Sequence, residues 1–408
     1  MLKGFNVGSV RWRNNVFLLS LYNGVEGVFS GLLWSIYAVY LVELGFSGVE
    51  FGFVSMLNAV VGGFLSLVSG LIVDKFGAKS LLILGHIMRS LGIVFLWLGS
   101  FATISAYSII SGLSAALFLA AHNVILSLSV PREKMHYAFT RVEALMLLGM
   151  FFGGLAGWIP KIVSDAYGLP LVKSYKLTLL SCSIGSFILV TLLLMIKEPP
   201  RETDKVQVGE PSREELKEFR RTILSLGIAA ILVGLGAGIS IHIIGFYFAK
   251  KYGITSGEYG SLFAAENLAM GLLMLITPNI ADRVGGPLKT YLALISLSIP
   301  FLLAITFVNS FMVAAVLYFI RTTLMNAANP LYTAVAMRLV KPSLRGRTMG
   351  IIIASRNIFA GIGRFFGGAL LDVNLELPLR ITVVMYISYI LFIKSMIDPL
   401  VKAKNSYA

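Results

Sequence analysis

The chain is a succession of long apolar runs with almost no charge inside them. The first extends from Asn15 to Val42. Others follow near 50–73, 79–99, 102–129, 137–160 and 172–196, then near 222–249, 257–281, 288–308, 310–339, 347–371 and 378–398. Each reaches or exceeds the ~20 residues that a helix needs to cross a bilayer. Inside lipid every backbone polar group must be satisfied by the chain itself, which leaves helices or a closed barrel. The runs lack the period-two alternation of barrel strands, so they are expected to be helices. Composition points the same way, with 57% hydrophobic and 13% charged residues, where soluble domains carry about 25% charge. Such a chain is neither a water-soluble assembly nor disordered. The first run is too long for the h-region of a signal peptide, which spans about 7–15 residues. The expected fold is an all-α polytopic membrane protein of twelve transmembrane helices.

One segment breaks the pattern. Lys197 to Arg221 is dense in both charges and carries Pro199, Pro200 and Pro211. It reads as a solvated linker, with Ser212 and Glu215 as a capping box opening a short helix. The expected division is residues 1–196, a linker at 197–221, and residues 222–408.

A net charge of +14 would ordinarily suggest nucleic acid. Its distribution argues otherwise. With both termini and the linker cytoplasmic, 22 of the 34 Lys and Arg lie in cytoplasmic segments, six lie outside and six lie within spans. Leaving out the linker, the ratio is 15 to six. That asymmetry is the positive-inside rule. It predicts a multi-pass protein of the cell membrane with cytoplasmic N- and C-termini, a lipid bilayer partner, and no nucleic-acid partner. Cys182 is the one cysteine, so an intrachain disulfide and a cysteine metal cluster are excluded. No metal or cofactor is expected.

The two sets of six helices repeat each other. Gly70-Leu-Ile-Val-Asp74-Lys75-Phe-Gly77-Ala-Lys79 closes the second helix, and Asn279-Ile-Ala-Asp282-Arg283-Val-Gly285 closes the eighth. Phe151-Phe-Gly-Gly154 in the fifth is echoed by Phe365-Phe-Gly-Gly368 in the eleventh, and Val130-Pro131-Arg132 by Lys341-Pro342. Such parallel repeats mark transporters. On these residues, and on Pro342-Ser-Leu-Arg345-Gly346-Arg347, the chain resembles the major facilitator superfamily. The resemblance implies two pseudo-symmetric six-helix bundles around a central cavity, alternating access, and a monomer. It implies that helices 1, 4, 7 and 10 line the cavity and that 2, 5, 8 and 11 flank it. It further implies a conformational latch, Gly70, Asp74, Lys75, Gly77 and Lys79 with Asp282 and Arg283, in which Asp74 caps the start of the eleventh helix. The drug-antiporter pattern is incomplete: Gly149, Gly153, Gly154 and Gly157 are present, but the Gly-Pro pair of the fifth helix and the usual Arg of the fourth are not.

Glycines recur every four residues at Gly27/Gly31, Gly149/Gly153/Gly157, Gly234/Gly238 and Gly363/Gly367. That spacing permits close helix packing.

An ionisable side chain in the bilayer core costs about 2.5–3.5 kcal/mol on insertion scales, so it must face protein or water. Glu26, Glu143 and Glu266 are the acids inside spans and the candidates for proton coupling, with Glu26 first because it falls near mid-span. An ion pair between Glu266 and Arg321 is the alternative for those two. His122 and His242 are weaker proton-relay candidates. Arg89 and His86, on a peripheral helix, read as structural. Arg321, Asn326, Asn329, Asn123 and Arg356 are the candidates for substrate contact, since arginine suits carboxylate or phosphate recognition. Tyr22, Tyr37 and Tyr332 sit on cavity-type helices.

No zinc-binding His-Glu-x-x-His, no Gly-x-Ser-x-Gly and no phosphate-binding loop occurs, which speaks against an enzyme. No filter loop or charged pore ring suggests a channel. The expectation is a secondary active transporter of a small organic solute, driven by protons or by sodium, with a lean toward anionic or zwitterionic substrates. Proton-coupled efflux of amphipathic compounds is the alternative.

Overall fold

The computed structural model describes residues 7–131, 134–198, 213–341 and 344–406. The linker prolines, Ser212, Arg132 and Pro342 lie outside these. The described residues are helical throughout their spans and contain no strand. Eleven helices are long and apolar enough to cross a membrane: α1 (Asn14–Glu43), α2 (Gly48–Phe76), α3 (Ala78–Leu98), α4 (Phe101–Leu128), α5 (Tyr137–Tyr167), α6 (Leu171–Leu194), α7 (Phe219–Tyr252), α9 (Pro287–Ile305), α10 (Phe311–Leu339), α11 (Arg347–Val373) and α12 (Leu377–Lys402). A further helix, α8 (Ser256–Val284), has 29 residues and completes the twelve. Large apolar side chains such as Phe64, Leu71 and Leu391 stand exposed on these helices, as a lipid-facing surface requires.

Several spans are interrupted. The helix leading into α7 begins at Arg213, ahead of the expected start at 222, because Arg-Glu-Glu-Leu-Lys-Glu is built of strong helix formers. It changes to a 3-10 turn at Ile241–Ile243. In α5 a 3-10 turn lies at Ala156–Trp158. In α10 the helix stops at Ala327 and restarts at Asn329, with Pro330 in the first turn, the one place in a helix where proline's missing N–H is harmless. A π-turn at Ile393–Ile397 interrupts α12.

The chain forms two compact units. Unit 1 holds residues 1–46, 64–204 and 255–264; unit 2 holds 47–63, 205–254 and 265–408. In unit 1, α1 lies against α5. A methyl group added at Gly149 or Gly153 would strike the backbone carbonyls of Gly24 and Val28, and one at Gly27 or Gly31 those of Met146 and Met150. Unit 2 repeats the contact between α7 and α11. Gly234 and Gly238 approach the carbonyls of Arg356 and Ala360, and Gly363 and Gly367 approach those of Leu235 and Ile239. The glycine series thus pair with one another, backbone against backbone.

The neighbouring glycine of each Phe-Phe-Gly-Gly element serves a second helix. Successive residues point about 100° apart around a helix. Within unit 1, Gly154 meets Gly260 at the start of α8; within unit 2, Gly368 meets Gly48 and Gly52 at the start of α2.

Local capping repeats with the same period. Ser47 opens α2: its N–H donates to Glu50 Oε2 at 2.8 Å, and Glu50 N–H donates back to Ser47 Oγ at 3.2 Å. Thr255, 208 positions later, opens α8 with its N–H donating to Glu258 Oε2 at 2.8 Å. These are Ser/Thr-x-x-Glu capping pairs. Gly77 and Gly285, also 208 apart, have φ of +89° and +96°, a turn that a side chain would strain. Glu198, the first acid beyond α6, accepts from Ala78 N–H at 2.8 Å and so caps α3.

Gly153→Val and Gly367→Val are expected to overpack these contacts by at least about 1–3 kcal/mol, the ordinary cost of forcing volume into a packed core. Purified protein in detergent should show a lower thermal midpoint for both. Gly168→Ala, whose added carbon meets nothing within 4 Å but whose φ is +62°, should cost less.

Candidate functional site

Unit 1 buries Glu26 in a polar network. Its Oε1 lies 3.2 Å from Arg89 Nη2 on α3. Arg89 Nη2 donates to Ser30 Oγ at 2.7 Å, and Ser186 on α6 donates to Glu26 Oε2 at 3.1 Å. Ser186 O accepts from His86 Nε2 at 2.8 Å. A carbonyl accepts only, so Nε2 carries the proton and Nδ1 accepts from Tyr22 OH at 2.7 Å. The network joins α1 to the peripheral helices α3 and α6. Each carboxylate oxygen has a partner, and the carboxylate is 3% exposed. Asn23 donates to Leu19 O and meets His122 Nε2 at 3.0 Å. Asn123 and Glu143 are exposed on unit 1.

Unit 2 arranges its charges differently. Arg321 is 2% exposed, the largest fully buried side chain in the described structure. Its Nη2 donates to Tyr386 OH at 2.9 Å, and its guanidinium stands 5.5 Å over the same ring. The expected ion pair with Glu266 is not formed among the described residues. Glu266, in the middle of α8, keeps its Oε1 buried without a hydrogen-bond partner. Tyr386 on α12 bonds one nitrogen of the guanidinium, and Arg321 Nε stays buried without a hydrogen-bond partner. A carboxylate oxygen lacking a donor is costly in its charged form, whereas a neutral acid tolerates the site better.

A pocket of about 160 Å³ lies wholly within unit 2, lined by Arg356, Asn329, Tyr332, Tyr291 and Tyr389 among apolar side chains. Two residues proposed for substrate contact, Asn329 and Arg356, therefore meet in one place. Asn326 is tied to it through Asn329, whose Nδ2 donates to Asn326 Oδ1 at 3.4 Å. Arg321 does not line the pocket, and Asn123 belongs to unit 1. Tyr291 on α9 and Tyr389 on α12 also line the pocket, on peripheral helices where an aromatic residue carries no polar signal in the sequence. Their hydroxyls bond to each other, and Tyr291 stacks on Tyr332 at 5.1 Å.

Unit 2 also contains a cap that the sequence did not reveal. Asp372, near the end of α11, accepts from Gly48 N–H at 2.7 Å and Val49 N–H at 2.8 Å. Lys250 pairs with it at 3.2 Å. The carboxylate sits at the positive end of α2, where an anion is stabilised. Of the latch residues, Asp74 and Lys75 are exposed in the last turn of α2, and Lys79 donates to Leu194 O at 2.9 Å.

The Major Facilitator Superfamily profile matches residues 19–246 and 226–406. Multidrug resistance protein 2 of Bacillus subtilis is 21% identical over 394 residues, covering 91% of this chain and 92% of that protein. Multidrug resistance protein MdtG of Escherichia fergusonii is 24% identical over 385 residues, covering 90% of each. Among solved structures, a bacterial homolog of the human lysosomal transporter Spinster, inward-facing and unoccupied, superposes with a TM-score of 0.75 at 14% identity, over 97% of this chain and 99% of that one. The nucleoside transporter NupG superposes with a TM-score of 0.70 at 15% identity, over 93% and 99%.

Asp372→Ala is expected to leave two N–H groups at the start of α2 without acceptors, loosening that turn by about 1–2 kcal/mol. Hydrogen–deuterium exchange over residues 47–52 should quicken, while exchange over 255–260 should not change. Equal exchange in both proteins at 47–52 would refute the cap.

Proposed function

We propose, from the premise that the chain belongs to the Major Facilitator Superfamily, that it is a proton-coupled secondary carrier of a small organic solute. The membrane-spanning fold and the transporter family are established by the match over both halves of the chain. Proton coupling, the choice of solute and cytoplasmic termini are our reading. The carriers would alternate access with Glu266 taking and releasing the proton.

The observation that carries this choice is the buried, donorless oxygen of Glu266 in the middle of a span. A side chain that exchanges a proton must accommodate the neutral form, and Glu266 has that environment. Glu26, nearest mid-span, is the first candidate by sequence. Its two oxygens are already served by Arg89, Ser30 and Ser186, which favours a structural task.

Efflux of amphipathic compounds is the second reading. It is favoured by the relatives named as multidrug resistance proteins. The incomplete fifth-helix pattern speaks against it. Reconstituted protein that lowers the internal concentration of several unrelated lipophilic cations would decide for efflux.

The test of coupling uses proteoliposomes with an internal pH dye and an imposed pH gradient. Glu266→Gln should abolish solute-dependent proton movement while leaving the thermal midpoint nearly unchanged. Glu26→Gln should do the reverse. Breaking a buried ion pair costs roughly 3–5 kcal/mol, less here because the Arg89 side chain is 31% exposed, so stability should fall. Intact proton movement in Glu266→Gln would end this reading.

A further inference from the structure

The pocket of unit 2 has a chemistry that the transport reading leaves open. Its polar lining offers hydrogen-bond donors and no carboxylate. Arg356 lines it, is exposed, and has no ion-pair or hydrogen-bond partner among the described residues. Arginine in the middle of a spanning helix is ordinarily neutralised by a neighbouring acid or turned toward water. Tyr332 holds its hydroxyl buried and unpartnered. Tyr291 and Tyr389 share one hydrogen bond between two hydroxyls, so the accepting hydroxyl keeps a proton to give. Asn329 adds an amide. A set of donors around a guanidinium calls for an anion, and a planar two-oxygen group suits the guanidinium fork best.

Size and wall restrict the rest of the ligand. The cavity measures about 160 Å³, close to the ~150 Å³ of an apolar cavity that accommodates benzene. Stacked rings of Tyr291 and Tyr332 form one side, and Val233 belongs to the apolar remainder. One six-membered ring fits that volume.

We infer that this pocket binds a monocyclic aromatic carboxylate, with its carboxylate on Arg356 and Tyr332 and its ring beside Tyr291. This deepens the carrier reading by naming a substrate class, and it rests on that reading for the claim that the bound anion is the solute moved.

The test is equilibrium binding of benzoate to full-length protein in nanodiscs, by calorimetry, with no gradient present. Benzoate should bind, and benzylamine and benzyl alcohol should not compete. Acetate should bind at least about tenfold more weakly, since it lacks the ring. Arg356→Gln should weaken benzoate by about 10- to 100-fold, the value of a charged hydrogen-bonded contact, and Arg356→Lys by less. Tyr332→Phe removes a hydroxyl that has no partner in the empty pocket. It should therefore leave the thermal midpoint unchanged or raised while benzoate affinity falls about three- to tenfold. This second variant separates loss of contact from loss of fold. No benzoate binding, equal binding in wild type and both variants, or preference for benzylamine would overturn the inference and leave proton-coupled transport of another solute standing. Arg356-dependent binding without [14C]benzoate counterflow in proteoliposomes would uphold the site and defeat the claim that its anion is carried.

Discussion

Backbone meeting backbone is the contact on which the rest of this structure depends. Lipid supplies no hydrophobic force between apolar helices, so association rests on close van der Waals approach. Glycine gives that approach where α1 crosses α5 and where α7 crosses α11. With those pairs fixed, the adjacent Gly154 and Gly368 are aimed at the starts of α8 and α2. A stretch of four residues, Phe-Phe-Gly-Gly, thereby holds two neighbours at once.

The polar side chains divide by how fully they are satisfied. Glu26 is enclosed by a pair, two hydroxyls and a histidine behind them, and joins three helices of unit 1. Glu266 and Arg321, in unit 2, do not pair with each other. The phenol of Tyr386 takes the guanidinium instead. In a medium that screens little, a satisfied charge stiffens its surroundings and an unsatisfied one is a store of free energy. Chemistry is to be sought at the second kind.

The helices, their number and the duplication were legible in the sequence, because lipid demands length and apolarity and leaves few alternatives. The glycine spacing was legible as close packing, though not which series met which. Three features escaped for physical reasons. Which base meets which acid depends on helix rotation, and neither Glu26–Arg89 nor Arg321–Tyr386 is encoded by spacing along one helix. Tyr291 and Tyr389 lie on peripheral helices, where sequence gives an aromatic residue no signal beyond packing against lipid. Asp372 reads in the sequence as an ordinary helix end, because the N–H groups of Gly48 and Val49 that it caps lie more than 300 positions away. Arg356 and Asn329 were recognisable because charge and amide groups inside apolar runs are rare enough to ask for a reason.

The break in α10 has a consequence for the kinship of the two halves. Its counterpart α4 runs unbroken for 28 residues, and α10 has 29. One extra residue in a continuous helix would turn everything beyond it by about 100°. The interruption at Ala328 stands directly ahead of the segment that carries Asn329 and Tyr332 to the pocket. Two copies of one plan thus cease to be equivalent at a defined point: the α10 copy is broken where the α4 copy is continuous, directly ahead of residues that line a pocket.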